Sequence, residues 1–376
     1  MYEKVTSLAS PSFGTGAGKG NPVMVDASAA DINNVTTTKQ TLTSATGLVV
    51  MASNDRTHRY WHHYDALDGG VPDERVVTRL AGADRYATAA AVSQANFPGQ
   101  APTVFVATGA GFADALSAGP GAGAARAPLL LVQAGSIPAA TAAELDRLNP
   151  GQIYVVGGPA VIAQQMDQAL RQYTSSRSIG SVQRLAGADR YATAAHVSAL
   201  LPENRSSVFV APGTGFPDAL AAGTAATRRG TSVLLVKPDA IPTPTATELD
   251  RLSPATIYVV GGPNSVSEAV RIRLAEHTDS GSLASVVRLG GADRYETAVE
   301  VARATWDAGS ANPFVATGRD FPDALSGGAY PRPLYLVDTN SVPPSVSADI
   351  GRLDPDAIQI LGGPSVVSPG VEQALR

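Results

Sequence analysis

The chain has 376 residues, 44% hydrophobic and 16% charged, with a formal net charge of -5 and no cysteine. That length exceeds one ordinary core, and the composition is that of a folded globular chain rather than a disordered or fibrous one. The missing cysteines exclude disulfides, thiolate nucleophiles and cysteine-ligated zinc, while the acidic balance disfavours bulk attraction to nucleic acid.

No stretch approaches the roughly 20 apolar residues of a membrane span, and the first residues lack the apolar run of a secretory signal. Residues 1–74, rich in Thr, Ser, Asn and Gly, are predicted to form an N-terminal extension, either a small β piece or a partly disordered leader. Two strands are predicted there, at PVMVDA (22–27) and GLVVMA (47–52). His58, His62 and His63 in THRYWHHYD raise a metal reading. No carboxylate spacing supports it, so a solvated loop is the preferred reading and no metal site is expected.

From residue 75 onward the chain repeats itself. RLAGADRYATAA at 79–90 returns letter for letter at 184–195 and as RLGGADRYETAV at 288–299. Each copy then runs through VFVAT, VFVAP or PFVAT, next FADAL or FPDAL, LLLV, VLLV or LYLV, ELDRL or DIGRL, and IYVVGGP or IQILGGP. This divides the chain into modules at 75–180, 181–284 and 285–376. Short β-branched runs alternating with helical stretches predict three tandem doubly wound α/β modules, each a parallel sheet of four strands with four helices.

Within a copy, the helix after DRY shows its buried stripe in Tyr295, Ala298, Val299 and Ala302. Asp84, Asp189 and Asp293 stand where its N-cap is needed, and Glu296 would complete a capping box. Tyr86, Tyr191 and Tyr295 head the stripe and read as core. Asp114, Asp218 and Asp323 of FxDAL read as first-turn residues of the next helix, structural rather than acids or ligands. The third copy is four residues shorter between that aspartate and GGP, so its second helix is predicted to be clipped. Arg147, Arg251 and Arg352 fall near helix C-termini, where a cation is favoured for structural reasons.

The motifs RLxGxDRY, TGxxFxDAL and GGP follow the first, second and fourth strands, so all three are expected at the carboxyl edge of the sheet, where open parallel sheets bind ligands. The connectors at the other edge, NFPGQAPT, LPENRSS and WDAGSANP, share no pattern. Gly157-Gly158-Pro159, Gly261-Gly262-Pro263 and Gly362-Gly363-Pro364 are expected to lead straight into a helix, leaving N–H groups as an anion seat. The reading that they merely make the turn weighs more, because tight turns need glycine anyway. Arg85, Arg190 and Arg294 either hold phosphate or carboxylate groups or fix the loop by ion pairing with the FxDAL aspartate, and both readings stay open.

The copies offer no repeated His, Cys or Ser: Ser117 and Ser326 face Ala221, and His196 has no counterpart. An acid pair made from the DRY and DAL aspartates is the one conceivable catalytic set, and no catalytic residue or cofactor is expected. A nucleotide-binding Rossmann-like protein is an alternative on the GGP turns alone, without GxGxxG or an acidic ribose partner.

The ordered series RLxGxDRY, VFVATGxxFxDALS, LLLV and IYVVGGP resembles the cell wall binding repeat 2 family of bacterial surface proteins, over about residues 76–376. The resemblance implies three modules packed with pseudo-threefold symmetry that anchor a surface protein noncovalently to an anionic secondary polymer of the cell wall, a polysaccharide or a teichoic-acid-like chain. It implies an extracellular, wall-associated location, with the signal peptide not present in this chain. A cell wall hydrolase fragment is the other alternative, although 74 leading residues are short for a hydrolase domain.

Overall fold

The computed structural model describes residues 75–376, apart from 204, 216, 217 and 310, together with the backbone of three short strands in the first 74 residues. Those strands, β1 (Tyr2–Lys4), β2 (Val49–Ala52) and β3 (Trp61–Tyr64), form an antiparallel sheet in that order. The strand expected in GLVVMA is β2, whereas PVMVDA and His58 lie outside the described residues. His62 and His63 were expected in a loop, and they belong instead to β3, paired with Met51 and Val50. Aromatic residues on either side favour the extended backbone there.

The remainder, Arg75–Arg376, is a second compact unit. Its first repeat contains β4 (Val76–Leu80), α1 (Arg85–Asn96), β5 (Thr103–Thr108), α2 (Ala113–Ala124), β6 (Leu129–Val132), α3 (Ala139–Leu148), β7 (Gln152–Val156) and α4 (Met166–Arg171). The second contains β8 (Val182–Leu185), α5 (Arg190–Ser198), β9 (Ser207–Pro212), α6 (Leu220–Arg229), β10 (Val233–Val236), α7 (Thr243–Leu252), β11 (Thr256–Val260) and α8 (Glu268–Leu274). The third contains β12 (Val286–Leu289), α9 (Arg294–Thr305), β13 (Phe314–Thr317), α10 (Pro322–Leu325), β14 (Leu334–Val337), α11 (Pro344–Leu353), β15 (Ala357–Leu361) and α12 (Pro369–Ala374).

Three four-stranded parallel sheets result, ordered β6-β5-β7-β8, β10-β9-β11-β12 and β14-β13-β15-β4. The expectation that each repeat keeps its first strand is not met. Strand β8 pairs with β7 of the preceding repeat, β12 with β11, and β4 closes the cycle on β15, Val77 opposite Ile358 and Leu80 opposite Leu361. Repeat and sheet are offset by one strand.

An arginine on each lent strand locks the transfer. Arg79, Arg184 and Arg288 donate through Nη1 to the carbonyls of Gly362, Gly157 and Gly261, at 2.8, 2.7 and 2.8 Å. Their other nitrogens meet Glu372, Asp167 and Glu268 on the fourth helix of the receiving sheet. These pairs are largely shielded from water in the first two cases, so they hold more than an exposed pair would.

Strand side chains alternate between two cores. In the first sheet Val104, Val106, Leu130 and Val132 meet Leu145 and Leu148 of α3 and Met166 and Leu170 of α4. Phe105, Ala107, Leu129 and Leu131 face the other way, into a core shared by all three repeats. Each such leucine, fully buried, is worth about 1.5–3 kcal/mol. At the centre of the shared core the helices after the second strands touch, and small residues permit it. A Cβ on Gly119 would stand 2.9 Å from the Gly328 carbonyl carbon, and one on Gly123 only 2.3 Å from the Thr227 side chain. Thr227 Oγ1 donates to the Gly328 carbonyl at 2.7 Å. The cyclic exchange and the three-way central contact give the pseudo-threefold packing.

The clipped helix of the third copy is present as expected: α10 has four residues and passes into a 3-10 turn, Ser326–Ala329. Four residues are about one helical turn, so the deletion shortens the helix without rotating the chain beyond it. Tyr330, 7% exposed, fills the vacated space with its ring 5.9 Å from both Phe97 and Phe314.

The exchange predicts where damage will appear. In hydrogen exchange, a chain starting at residue 81 should lose protection in β15 and α12, by about tenfold or more (~1.4 kcal/mol), relative to one starting at residue 75. Loss confined to α1 and β5, next to the cut, would contradict the assignment of β4 to the third sheet.

Candidate functional site

The three repeated motifs do meet at the carboxyl edge, but each meeting place is shared between successive repeats. The first groove, about 350 Å³, is lined by Thr108, Phe112 and Asp114 with Gly158-Pro159 from one repeat and by Gly187, Asp189 and Arg190 from the next. The second, about 490 Å³, joins Thr214, Asp218 and Gly262-Pro263 to Gly291, Asp293 and Arg294. At the third junction Asp323 lies against Gly362 and feels Thr88 and Arg85 of the first repeat. Lending the first strand brings DRY to the neighbour's edge.

Local chemistry explains why each loop holds its form. Asp84 and Asp189 cap their helices by accepting from the N–H of Ala87 and Ala192 at 2.8 and 2.9 Å. Asp293 accepts from both Tyr295 and Glu296. Glu296 reaches back to the Ala292 N–H, one residue before the cap, a variant of the expected box. Thr88, Thr193 and Thr297 accept from the N–H of Gly82, Gly187 and Gly291, a repeated contact that sequence reasoning missed although the threonine recurs in every copy. Tyr191 is buried, and the rings of Tyr86, Tyr191 and Tyr295 lie so close to Gly109, Gly213 and Gly318 that a Cβ there would meet them at 2.7, 2.6 and 2.6 Å.

The GGP turns differ from expectation. They do not enter a helix directly: the N–H groups of Val161 and Ile162 return to the Gly158 carbonyl, and α4 starts only at Met166. The chain leaves the turn because the next N–H is captured by a neighbouring loop, Ala163 by the Ala134 carbonyl, Ser267 by Pro238 and Ser368 by Thr339. Each GGP motif therefore opens a single turn, separate from the helix that follows it.

The two glycines of each turn separate cleanly. Gly157, Gly261 and Gly362 have φ of 122, 106 and 113°, and a Cβ would strike Oδ2 of Asp114, Asp218 or Asp323 at 2.8, 2.9 or 2.6 Å. Backbone geometry alone requires them. At Gly262 nothing stands within 4 Å of an added Cβ, at Gly158 only the Gly187 carbonyl at 3.9 Å, and at Gly363 only Ser365 at 4.0 Å. Packing gives no reason for glycine at this second position.

Arg85, Arg190 and Arg294 each donate through Nη1 to a carbonyl of the loop after the second strand, Gly109 at 2.6 Å and Gly213 and Gly318 at 2.5 Å. Among the described residues none forms an ion pair with an FxDAL aspartate, so that route to fixing the loop is replaced by the carbonyl bond. Arg147, Arg251 and Arg352 have the expected structural role: they sit in the last turns of α3, α7 and α11 and pair with the buried Glu144, Glu248 and Asp349. They also donate to carbonyls at the ends of the preceding first helices, among them Phe97, Leu201 and Trp306.

Asp114 and Asp323 stand in the first turns of α2 and α10, whereas Asp218 precedes α6, which begins at Leu220. Asp218 accepts from Ser265 Oγ at 2.7 Å. Valine occupies the corresponding place in the other two turns, Val161 and Val366. Burial pushes the Asp114 carboxyl up to about 6, against a smaller opposing pull from Arg190. Burial raises Asp323 too, partly offset by its hydrogen bond from Thr88 and by Arg85. No group of three or more His, Cys, Asp or Glu side chains able to hold a metal is found among the described residues, and no helix there is long and apolar enough to cross a membrane.

The Asp114 shift has a stability consequence. Its proton is held more tightly in the folded chain than in the unfolded one, so its contribution is fully present below pH 3.8 and lost as pH rises through about 6. Asp114→Asn should therefore stabilise the protein at pH 7.5, by on the order of 2 kcal/mol, and do little at pH 4. Urea unfolding at the two pH values checks this, and an equal effect at both would contradict it.

Comparison with known proteins places these repeats. The curated N-acetylmuramoyl-L-alanine amidase LytC of Bacillus subtilis (strain 168) is 28% identical over 306 residues, covering 80% of this chain and 58% of that protein. The Amidase enhancer of the same organism is 27% identical over 305 residues, covering 80% and 40%. This chain thus spans about half the length of the curated relatives it matches. Among solved structures, Cwp6 from Clostridium difficile superposes with a TM-score of 0.72 at 22% identity, over 87% of this chain and 50% of that one. Cwp8 from the same organism gives 0.70 at 25% identity, over 82% and 52%. The description of the Cell wall binding domain 2 family matches three times, at residues 79–167, 184–271 and 288–372, and the chain belongs to that family.

Proposed function

We propose that the chain anchors a bacterial surface protein noncovalently to an anionic secondary polymer of the cell wall, a polysaccharide or teichoic-acid-like chain, outside the cell. The observation that carries this reading is the recurrence of one arrangement at the repeat junctions. Each brings an arginine, an FxDAL aspartate and an unobstructed second glycine to the same edge. Each guanidinium spends Nη1 on a carbonyl, leaving the rest of its fork for an oxyanion. Gly158, Gly262 and Gly363 let the polymer backbone approach closely. The net charge of -5 is no obstacle, because local arginines act at short range.

Wall cleavage is no part of this proposal. The name of the LytC relative describes an amidase, but the match covers the binding repeats that the two chains share. Pure protein incubated with walls should release no soluble sugar or peptide. Release that is abolished by changing Asp114 and Asp218 would reverse the assignment.

Co-sedimentation with purified walls, before and after acid extraction of secondary polymers, tests the anchoring. Binding should fall on extraction and with added salt, which screens exposed charge contacts. Replacing Arg85, Arg190 and Arg294 together by Ala should weaken binding more than any single replacement. The glycine set Gly158→Ala, Gly262→Ala and Gly363→Ala should leave the melting temperature unchanged yet reduce binding. Folded triple variants that bind like the parent at every salt concentration would contradict these assignments.

A further inference from the structure

The three FxDAL acids are not held alike. Asp218 accepts from Ser265 Oγ at 2.7 Å, and Asp323 has a hydrogen bond from Thr88. Among the described residues no N–H or O–H group donates to the Asp114 carboxyl. The cause lies two residues past the GGP turn. Val161 and Ser265 occupy the same point of the backbone, since the N–H of each returns to the carbonyl of the second glycine, Gly158 or Gly262, at 3.0 Å. A methyl group of Val161 and Oδ2 of Asp114 each stand 2.8 Å from where a Cβ on Gly157 would be, so the valine adjoins the carboxyl at the place where Ser265 brings a hydroxyl. Asp114 also lines the first groove, and the other charged groups that line it, Asp189 and Arg190, come from the start of α5 in the next repeat. Thr108 from β5 and Ala160 and Val161 from the turn bring no charge to it.

From this arrangement we propose that Val161 makes the first groove a pH-dependent grip on the wall polymer, one that holds an oxyanion-bearing unit, carboxylate or phosphate, in acid and loosens as the medium turns alkaline. The inference rests on the wall-anchoring reading and adds its regulation. A carboxyl that keeps its proton is a donor, and together with the free part of the Arg190 fork it gives an oxyanion hydrogen bonds from both repeats. Once ionised, the same carboxyl repels the oxyanion and competes with it for Arg190. Burial pushes the Asp114 carboxyl up to about 6, against the pull of Arg190. The grip is therefore complete near pH 5 and largely lost by pH 7.5. Asp189 is occupied as the cap of α5, accepting from the Ala192 N–H. At the second junction Ser265 keeps Asp218 an acceptor, and at the third Thr88 already donates to Asp323, which leaves Asp114 as the FxDAL acid without a donor of its own.

The test is co-sedimentation of the whole chain with purified walls at pH 5, 6 and 7.5 and constant ionic strength. Each variant is measured against the parent on the same walls, so that titration of the walls themselves cancels. Asp114→Asn carries a donor and no charge at every pH. It should bind about tenfold more tightly than the parent at pH 7.5, and that advantage should shrink away toward pH 5. Val161→Ser gives Asp114 the donor that Asp218 has, so its binding should fall about tenfold short of the parent's at pH 5 and approach it as the pH rises. Walls whose carboxylates have been converted to neutral amides tell the two oxyanions apart: a pH effect that survives assigns phosphate, and one that vanishes assigns carboxylate. An Asp114→Asn chain with no advantage, or with the same advantage at every pH, would overturn the grip while leaving wall anchoring intact, as would a folded Val161→Ser chain with the parent's pH profile. Asp114→Asn decides the matter even if Val161→Ser fails to fold. A parent chain that binds walls at none of these pH values would overturn the anchoring reading itself, and the grip with it.

Discussion

The structure depends on one act of pairing, the transfer of each repeat's first strand to the sheet of the repeat before it. In two junctions the transfer follows the direction of the chain, β8 onto β7 and β12 onto β11. The third, β4 onto β15, joins the beginning of the repeated region to its end and closes the cycle. Without it the third sheet would present an unpaired edge, and the shared core would be open between the first and third repeats. The arginine on each lent strand makes the pairing specific, since it needs both a glycine carbonyl and an acid on the receiving sheet.

The same transfer makes the candidate sites. Strand β8 ends beside β7, so the loop after it delivers Asp189 and Arg190 to the edge already occupied by Asp114 and Gly158. A repeat taken alone would hold half of one groove and half of another. The small residues at the core serve the same end. Gly119, Gly123 and Gly328 let the second helices approach closely, which brings Phe112 and Phe321 together above them. The third copy joins this arrangement despite its clipped helix, because a whole turn is missing and Tyr330 occupies the space.

Much of this was legible in the letters because three copies vary against one another in a single chain. The helix caps at Asp84, Asp189 and Asp293, the tyrosines that head the helix stripe, of which Tyr191 is buried and Tyr86 and Tyr295 pack partly exposed against the core, the clipped third helix and the common edge of the motifs all result from short-range rules. The ownership of the first strand does not. A five-residue parallel strand such as VVTRL is apolar enough for either sheet, and its choice depends on a partner about 280 residues away along the chain. The signal was present in Arg79, Arg184 and Arg288, cations repeated inside a strand, which needed a partner that no residue of their own loop supplied. The GGP turns misled because Pro after Gly-Gly reads as the first residue of a helix, whereas hydrogen bonds to the loop after the third strand end the turn early. Thr88, Thr193 and Thr297 were overlooked because a threonine in a helix draws attention only when its hydroxyl has a visible task.

The absence of cysteine permits a direct measurement of the exchange. Val76 is exposed and faces Ala357 across the β4–β15 pair, and Gln152 is the residue of the first repeat that corresponds to Ala357. Two double variants, Val76→Cys with Ala357→Cys and Val76→Cys with Gln152→Cys, can be treated at high dilution with a short thiol-to-thiol cross-linker. Strand exchange predicts rapid intramolecular linkage of the first pair and none of the second. Linkage of 76 to 152, with 76 and 357 remaining unlinked, would show that the first repeat keeps its own strand and would contradict the account of how the shared grooves are made.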